Sequence, residues 1–95
     1  MKTIYEFEWD ESKNLSNQKN HGVSFEQARK AFDDPNRVVA DNPTHSQDEK
    51  RYFLHGHDGD GILTVRFTLR DGVVRIIGAG YWRSGKKIYE GRNNS

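Results

Sequence analysis

The dipeptide Asp71-Gly72, set between two runs in which apolar and polar residues alternate, constrains this chain more than any other feature. Ile62 to Arg70 and Val73 to Ala79 both repeat with period two, the spacing at which successive side chains of a strand leave opposite faces. An Asp-Gly pair between such runs predicts a two-residue hairpin, because a primed turn needs positive φ at both central residues. The register then places Arg70 opposite Val73, Thr68 opposite Arg75 and Phe67 opposite Ile76. One face gathers Leu63, Val65, Phe67, Leu69, Val74 and Ile76; the other carries Thr64, Arg66, Thr68, Arg70 and Arg75. A third run, Arg51 to His57, adds Tyr52 and Leu54 to the apolar face and Arg51, Phe53 and His55 to the polar one. It joins its neighbour through His57-Asp58-Gly59-Asp60-Gly61; a turn with Asp58-Gly59 at its tip sets Arg51 roughly opposite Arg66. A slip of two residues would change these pairs but not the faces.

Before residue 36 the period is helical. Asp10 is an N-cap and Gly22 a C-terminal stop for a polar helix from Glu11 to about Asn20. Ser24 with Gln27 forms a capping box for a second helix, with Val23 stapled onto Ala28 and Phe25, Ala28 and Phe32 in one apolar stripe. Asp34-Pro35-Asn36 ends it, since proline disfavours helical backbone in the residue before it. Further strands are expected at Ile4 to Glu8 and Arg37 to Asp41, and a short basic helix at Lys86 to Arg92 ahead of a frayed Asn93-Asn94-Ser95. The expected class is α+β: two N-terminal helices packed on a mostly antiparallel sheet, with a short C-terminal helix.

Ninety-five residues suffice for one domain, here residues 1–95, and a chain this short buries only about 60% of its unfolded surface. Charged residues make up 31% and the formal charge is +1, so the total does not announce a nucleic-acid partner and the distribution must decide. Without cysteine there is neither a disulfide framework nor a thiolate zinc site. No run approaches the ~20 apolar residues of a membrane helix and the N-terminus lacks a signal peptide's apolar core, so the cytoplasm is the expected compartment.

The polar sheet face is where pattern becomes chemistry. Like charges directly across a strand pair cost up to about 1 kcal/mol unless a carboxylate or a bound anion offsets them, so Arg51, Arg66, Arg70 and Arg75 on one face suggest a phosphate surface. The plain alternative is a solvated face, although such a face would mix in glutamate and lysine. Phe53 and His55 stand among the arginines, where an aromatic ring can stack an unpaired base, with Thr68 beside them. The loop from His45 through Glu49 to Arg51 opens beside this face. Metal-independent RNA cleavage requires a base for the ribose 2′-hydroxyl, cations for the crowded phosphorane and an acid for the leaving 5′-oxygen. Glu49 or His45 suits the base, Arg51, Arg70 and Arg75 the cations, and His45 or His55 the acid. A loop salt bridge from Glu49 to Arg51 or Lys50 is the bland reading. Turn chemistry explains Asp58 and Asp60 without a metal, so no metal or other cofactor is expected. His21 is expected as a polar cap against Trp9, and Trp9 and Trp82 as hydrophobic packing.

In order and spacing, Phe7-Glu8-Trp9-Asp10-Glu11-Ser12-Lys13-Asn14, Asn17, His21-Gly22-Val23-Ser24-Phe25-Glu26 and Ala28 resemble the opening of the BrnT-like toxin family. The resemblance continues through Asp34-Pro35, Asp41, Pro43, His45, Ser46, Glu49, Arg51, Tyr52, Phe67-Thr68, Arg70 and Arg75-Ile76-Ile77, nearly the whole chain. It implies a RelE-like fold and an endoribonuclease toxin of a type II toxin–antitoxin pair. The partner it implies is a BrnA-like ribbon-helix-helix antitoxin, through which alone operator DNA is reached. Lys13, Asn17, Glu49, Arg51, Thr68, Arg70 and Arg75 match its typical polar positions. The family pattern Ile-Ser-Ala-Arg after the last strand is replaced by Ile77-Gly78-Ala79-Gly80; Arg83 and Lys86 are the nearest substitute cations for RNA. The missing arginine favours one rival, a non-catalytic co-repressor; a generic RNA-binding protein is the other.

Overall fold

The computed structural model describes residues 5–43 and 49–94. Its elements are β1 (Phe7–Glu8), α1 (Glu11–His21), α2 (Phe25–Ala31), β2 (Val38–Asp41), β3 (Arg51–His57), β4 (Ile62–Arg70), β5 (Val73–Gly80) and α3 (Arg83–Asn93). They form an α+β fold around a mixed five-stranded sheet ordered β1-β5-β4-β3-β2, with β1 parallel to β5 and the other neighbours antiparallel. Ile4, expected at the start of the first strand, lies outside the described residues.

Asp71 and Gly72 take φ of 52° and 81°, the primed turn that their chemistry favours, and the β4–β5 register next to it is the expected one. Between β3 and β4 the register differs by two residues: Arg51 pairs with Thr68, and Arg66 with Phe53. The Asp58 Oδ1 accepts the amides of Asp60 and Gly61 at 2.8 and 3.0 Å, which lengthens the turn by two residues and removes the arginine pair. An even slip keeps every face assignment.

Farther along, β5 carries a bulge. Phe67 pairs with Ile76 but Arg66 pairs with Gly78, leaving Ile77 as the extra residue. The bulge turns Gly78 and Gly80 onto the polar face, opposite Arg66 and Thr64, and Ala79 into the core. Strict alternation would have done the reverse.

The core lies between α2 and the inner sheet face: Phe25, Ala28, Ala31 and Phe32 with Leu54, Leu63, Val65, Phe67, Val74 and Ile76. Gly56 permits the close approach of α2, since a Cβ there would stand 2.5 Å from the Ala31 carbonyl oxygen. Leu69, expected in the core, is 49% exposed where β4 runs past the end of β3, whose pairing stops at Arg51 with Thr68. The expected caps form, with Asp10 accepting from the Ser12 amide, Gly22 left-handed at φ 69°, and Ser24 accepting from the Gln27 amide. The Gln27 side chain does not close the box; it donates to Asp58 and the Tyr81 hydroxyl, at 2.9 and 2.6 Å. The residues α1 buries are Asn14 and Asn17. Asn17 donates to the carbonyls of Val23 and Ala79 at 2.8 and 2.9 Å and accepts the Ala79 amide at 3.2 Å, so its amide side chain continues the β5 hydrogen bonding.

On the opposite face, α3 begins at Arg83, three residues before Lys86, and still includes Asn93. Gly85, ahead of the expected helix start, is where the helix meets the sheet: a Cβ there would overlap the Thr64 hydroxyl and stand 2.7 Å from His55 Nδ1. The far end of α3 is tied down by Tyr89, which donates to Asp34 at 2.7 Å, and by Asn93, which donates to the Asn36 carbonyl at 3.1 Å. The Asp34 bond also pushes the Tyr89 phenol up to about 12. The expected fraying at Asn93 is thus replaced by a docked helix end.

Candidate active site

The outer sheet face is a ladder of cross-strand rows. Arg51, Thr68 and Arg75 form one row, with Glu8 of β1 paired beside Arg75. Phe53, Arg66 and Gly78 form the next, and His55, Thr64 and Gly80 the one after, beneath Gly85 of α3. Arg70 lies beyond the first row, opposite Val73 by the hairpin turn.

At this open end the arginines are engaged with carboxylates. Glu49 accepts a two-pronged pair of hydrogen bonds from Arg70, at 3.0 Å from Nε and 2.8 Å from Nη2. Arg75 donates to Glu8 at 2.9 Å. The face is therefore not the unopposed cationic surface that the sequence suggested: the offsetting anions for Arg70 and Arg75 are internal. Hydrogen bonding by Arg70 holds the Glu49 carboxyl below its ordinary range, and the nearby charges of Arg70, Arg51 and Arg75 add to this. The same pair raises Arg70. The ionised form of Glu49 is thus favoured by the hydrogen bonds from Arg70 and by the charges of three nearby guanidinium groups.

Toward α3 the expected RNA contacts change character. Thr68 is 1% exposed and donates its hydroxyl to the Lys50 carbonyl at 2.7 Å, so it braces the start of β3 and presents nothing to a ligand. His55 is 3% exposed, with Nδ1 2.9 Å from the Thr64 hydroxyl. Burial pushes its imidazole below the ordinary value and favours the neutral ring over the protonated one an acid needs. Arg83 and Lys86 line a second groove with His57, Gly61, Ile62 and Tyr81. His45 lies outside the described residues.

Phe53 and Arg66 keep an open aspect and line a groove of about 650 Å³ between the sheet and α3, together with Trp82. Trp82 is not core packing: its ring occupies the space over Gly80, where a Cβ would come within 2.9 Å, and it meets His21 edge-on at 5.3 Å. His21 accordingly packs on Trp82 and not on Trp9, which joins Phe25 edge-on at 6.1 Å at the core. Glu8 escaped sequence reading as a partner of the arginines, and Trp82 was expected as hydrophobic packing. Glu8 becomes a partner of Arg75 only through a parallel pairing between the two ends of the chain, and no local pattern records that. Among the described residues no three His, Asp or Glu side chains converge as a metal site, and no helix is long and apolar enough to cross a membrane.

A sequence model of the family described as "Ribonuclease toxin, BrnT, of type II toxin-antitoxin system" matches residues 9–85. The chain belongs to that family. Among solved structures, the Brucella abortus ribonuclease toxin BrnT is similar to it, with a TM-score of 0.59 and 21% sequence identity over 81% of this chain and 95% of that one. A likeness at that identity speaks for the fold. No curated protein matches the chain. At Gly80 the Trp82 ring takes the place of any side chain.

Proposed function

We propose that this member is a metal-independent endoribonuclease, one toxin domain over residues 1–95 with a RelE-like arrangement, and that the Glu49 cluster is its cleavage centre. The observation that carries this reading is the two-pronged Glu49–Arg70 contact, with Arg51 and Arg75 acting on the same carboxylate. An incoming phosphate competes with Glu49 for Arg70, because a guanidinium fork fits either anion. As Arg70 turns to the phosphate, Glu49 loses the hydrogen bonds that depress its basicity and becomes able to take the 2′-hydroxyl proton. Arg51, Arg70 and Arg75 then balance the charge growing on the phosphorane. His45, four residues before Glu49 in sequence, is assigned the proton for the departing 5′-oxygen. The products are a 2′,3′-cyclic phosphate and a 5′-hydroxyl. In the cell, growth arrest by cleaved RNA is relieved by a BrnA-like ribbon-helix-helix antitoxin, and operator DNA is reached only through that partner.

The test is cleavage of RNA by purified protein in excess chelator. Wild type cuts and leaves cyclic phosphate ends; Glu49→Gln loses on the order of 10²–10⁴-fold in rate, the range for a positioned proton acceptor. Cutting that appears only on addition of magnesium, or a fully active Glu49→Gln, overturns the assignment.

A further inference from the structure

One row from the Glu49 cluster, the groove between the sheet and α3 has a construction that phosphate binding does not require. Its floor holds Phe53, His55, Thr64 and Arg66, its walls include Asp41, Ser84 and Ile88, and Trp82 closes one side. The bulge at Ile77 makes this space, because it brings Gly78 and Gly80 to the outer face. A Cβ at Gly78 would overlap the Arg66 guanidinium, and one at Gly80 would displace the Trp82 ring. Both flat groups therefore lie against bare backbone, with the guanidinium carbon 5.9 Å from the Trp82 ring centroid. Among the described residues Arg66 makes no hydrogen bond or ion pair, unlike Arg70 and Arg75. Phe53, its cross-strand partner, lies nearly parallel to His55 at 17°.

We propose that this groove is a pocket for one unstacked nucleobase of the RNA, the base next to the phosphate held at the Glu49 cluster. The inference rests on the ribonuclease reading for its substrate. Phe53 and Trp82 supply stacking surface, and Arg66 supplies hydrogen-bond donors for a base edge that bears carbonyl acceptors, as in guanine and uracil. His55 and Thr64, buried and hydrogen-bonded to each other, fix the floor of the groove. Two residues along β3 separate Phe53 from Arg51, about 7 Å at the rise of an extended strand, within the reach of one nucleotide. An apolar side chain of a protein partner would fill the same volume but would leave Arg66 without an acceptor, which favours the base.

The experiment follows the two indole N–H resonances, assigned with Trp82→Phe, as guanosine 5′-monophosphate or ribose 5-phosphate is added to Glu49→Gln protein. The nucleotide is expected to shift the Trp82 signal saturably, ribose 5-phosphate to leave it in place, and Trp9 to stay still in both. Phe53→Leu and Arg66→Gln, checked for an unchanged melting temperature, should each weaken nucleotide binding about 5- to 150-fold, the span of one stacked base. The same losses should appear in RNA cleavage on the otherwise wild-type chain. A Trp82 signal that ignores the nucleotide, or one that ribose 5-phosphate moves equally, overturns the pocket even if RNA is cut. A Trp82 signal that responds in a protein that cuts no RNA keeps the pocket and overturns the nuclease. Folded Phe53→Leu and Arg66→Gln proteins that bind and cut as wild type overturn the pocket.

Discussion

The two ends of the outer sheet face come from the same strands and the same alternation, yet they have opposite characters. At the hairpin end, Arg70 and Arg75 reach solvent and are held by Glu49 and Glu8. At the other end, His55 and Thr64 are sealed under α3 and satisfy each other. Solvent makes the first end adjustable, since exchanging one anion for another costs little there. Burial makes the second end rigid, since an unpaired polar group beneath a helix costs about 1–3 kcal/mol. An enzyme of this size can thus divide one surface into a part that responds to a ligand and a part that holds its shape.

That contrast can be broken first at the open end. Arg70→Ala should lower RNA cleavage on the order of 10²–10³-fold, as for the loss of one transition-state donor, and leave the melting temperature essentially in place. It should also move the acidic limb of the kcat/KM profile upward, because the hydrogen bonds that hold Glu49 low come first from Arg70. An unmoved limb would remove Glu49 from the proton step. Gly85→Ala probes the covered end. Helix propensity would favour alanine by up to about 1 kcal/mol, but overlap with Thr64 and His55 opposes it, and a net loss of about 2 kcal/mol is expected. Thermal denaturation should show a midpoint lower by about 4–8 °C per kcal/mol; an unchanged or higher midpoint would mean that α3 does not sit on this row.

A smaller effect follows from His55. Its folded value lies below the ordinary 6.5, so the unfolded chain binds the extra proton. Stability should be full above pH about 6.5, fall as the pH drops below it, and level off once the folded ring is protonated too. Chemical denaturation at stepped pH would show this slope in wild type and a shallower one in His55→Gln. The smallest change is expected for Glu8→Gln, which breaks a half-exposed pair with Arg75 and should cost less than about 1 kcal/mol. A larger loss would mean that the open end is as rigid as the covered one.

Much of the fold was legible because its signals are local. Caps at Asp10 and Ser24, the Phe25-Ala28-Phe32 stripe and the Asp71-Gly72 turn each act within a few residues, and each formed. Errors arose where a distant partner decided. Leu69 continues a faultless alternation but lies past the end of β3, and Gly85 precedes the expected helix start at Lys86 yet is the helix residue seated on Thr64. Of the proposed site, the shared face of Arg51, Arg70 and Arg75 was legible from alternation, and the loop carrying Glu49 from its place before Arg51. The sequence did not show that Glu8 and Glu49 restrain them, or that Thr68 and His55 are buried.

By itself the sequence determined the strand periods, the hairpin turn and thereby the side of the sheet that each arginine occupies, since period-two alternation and turn stereochemistry are properties of neighbouring residues. Tertiary structure decided which of those side chains meet water, anion or helix. Parallel pairing brought Glu8 to Arg75, the bulge at Ile77 exchanged glycine for alanine on the outer face, and α3 closed over His55. Each of these depends on contacts between remote segments, whose free energy exists only once the chain has closed on itself.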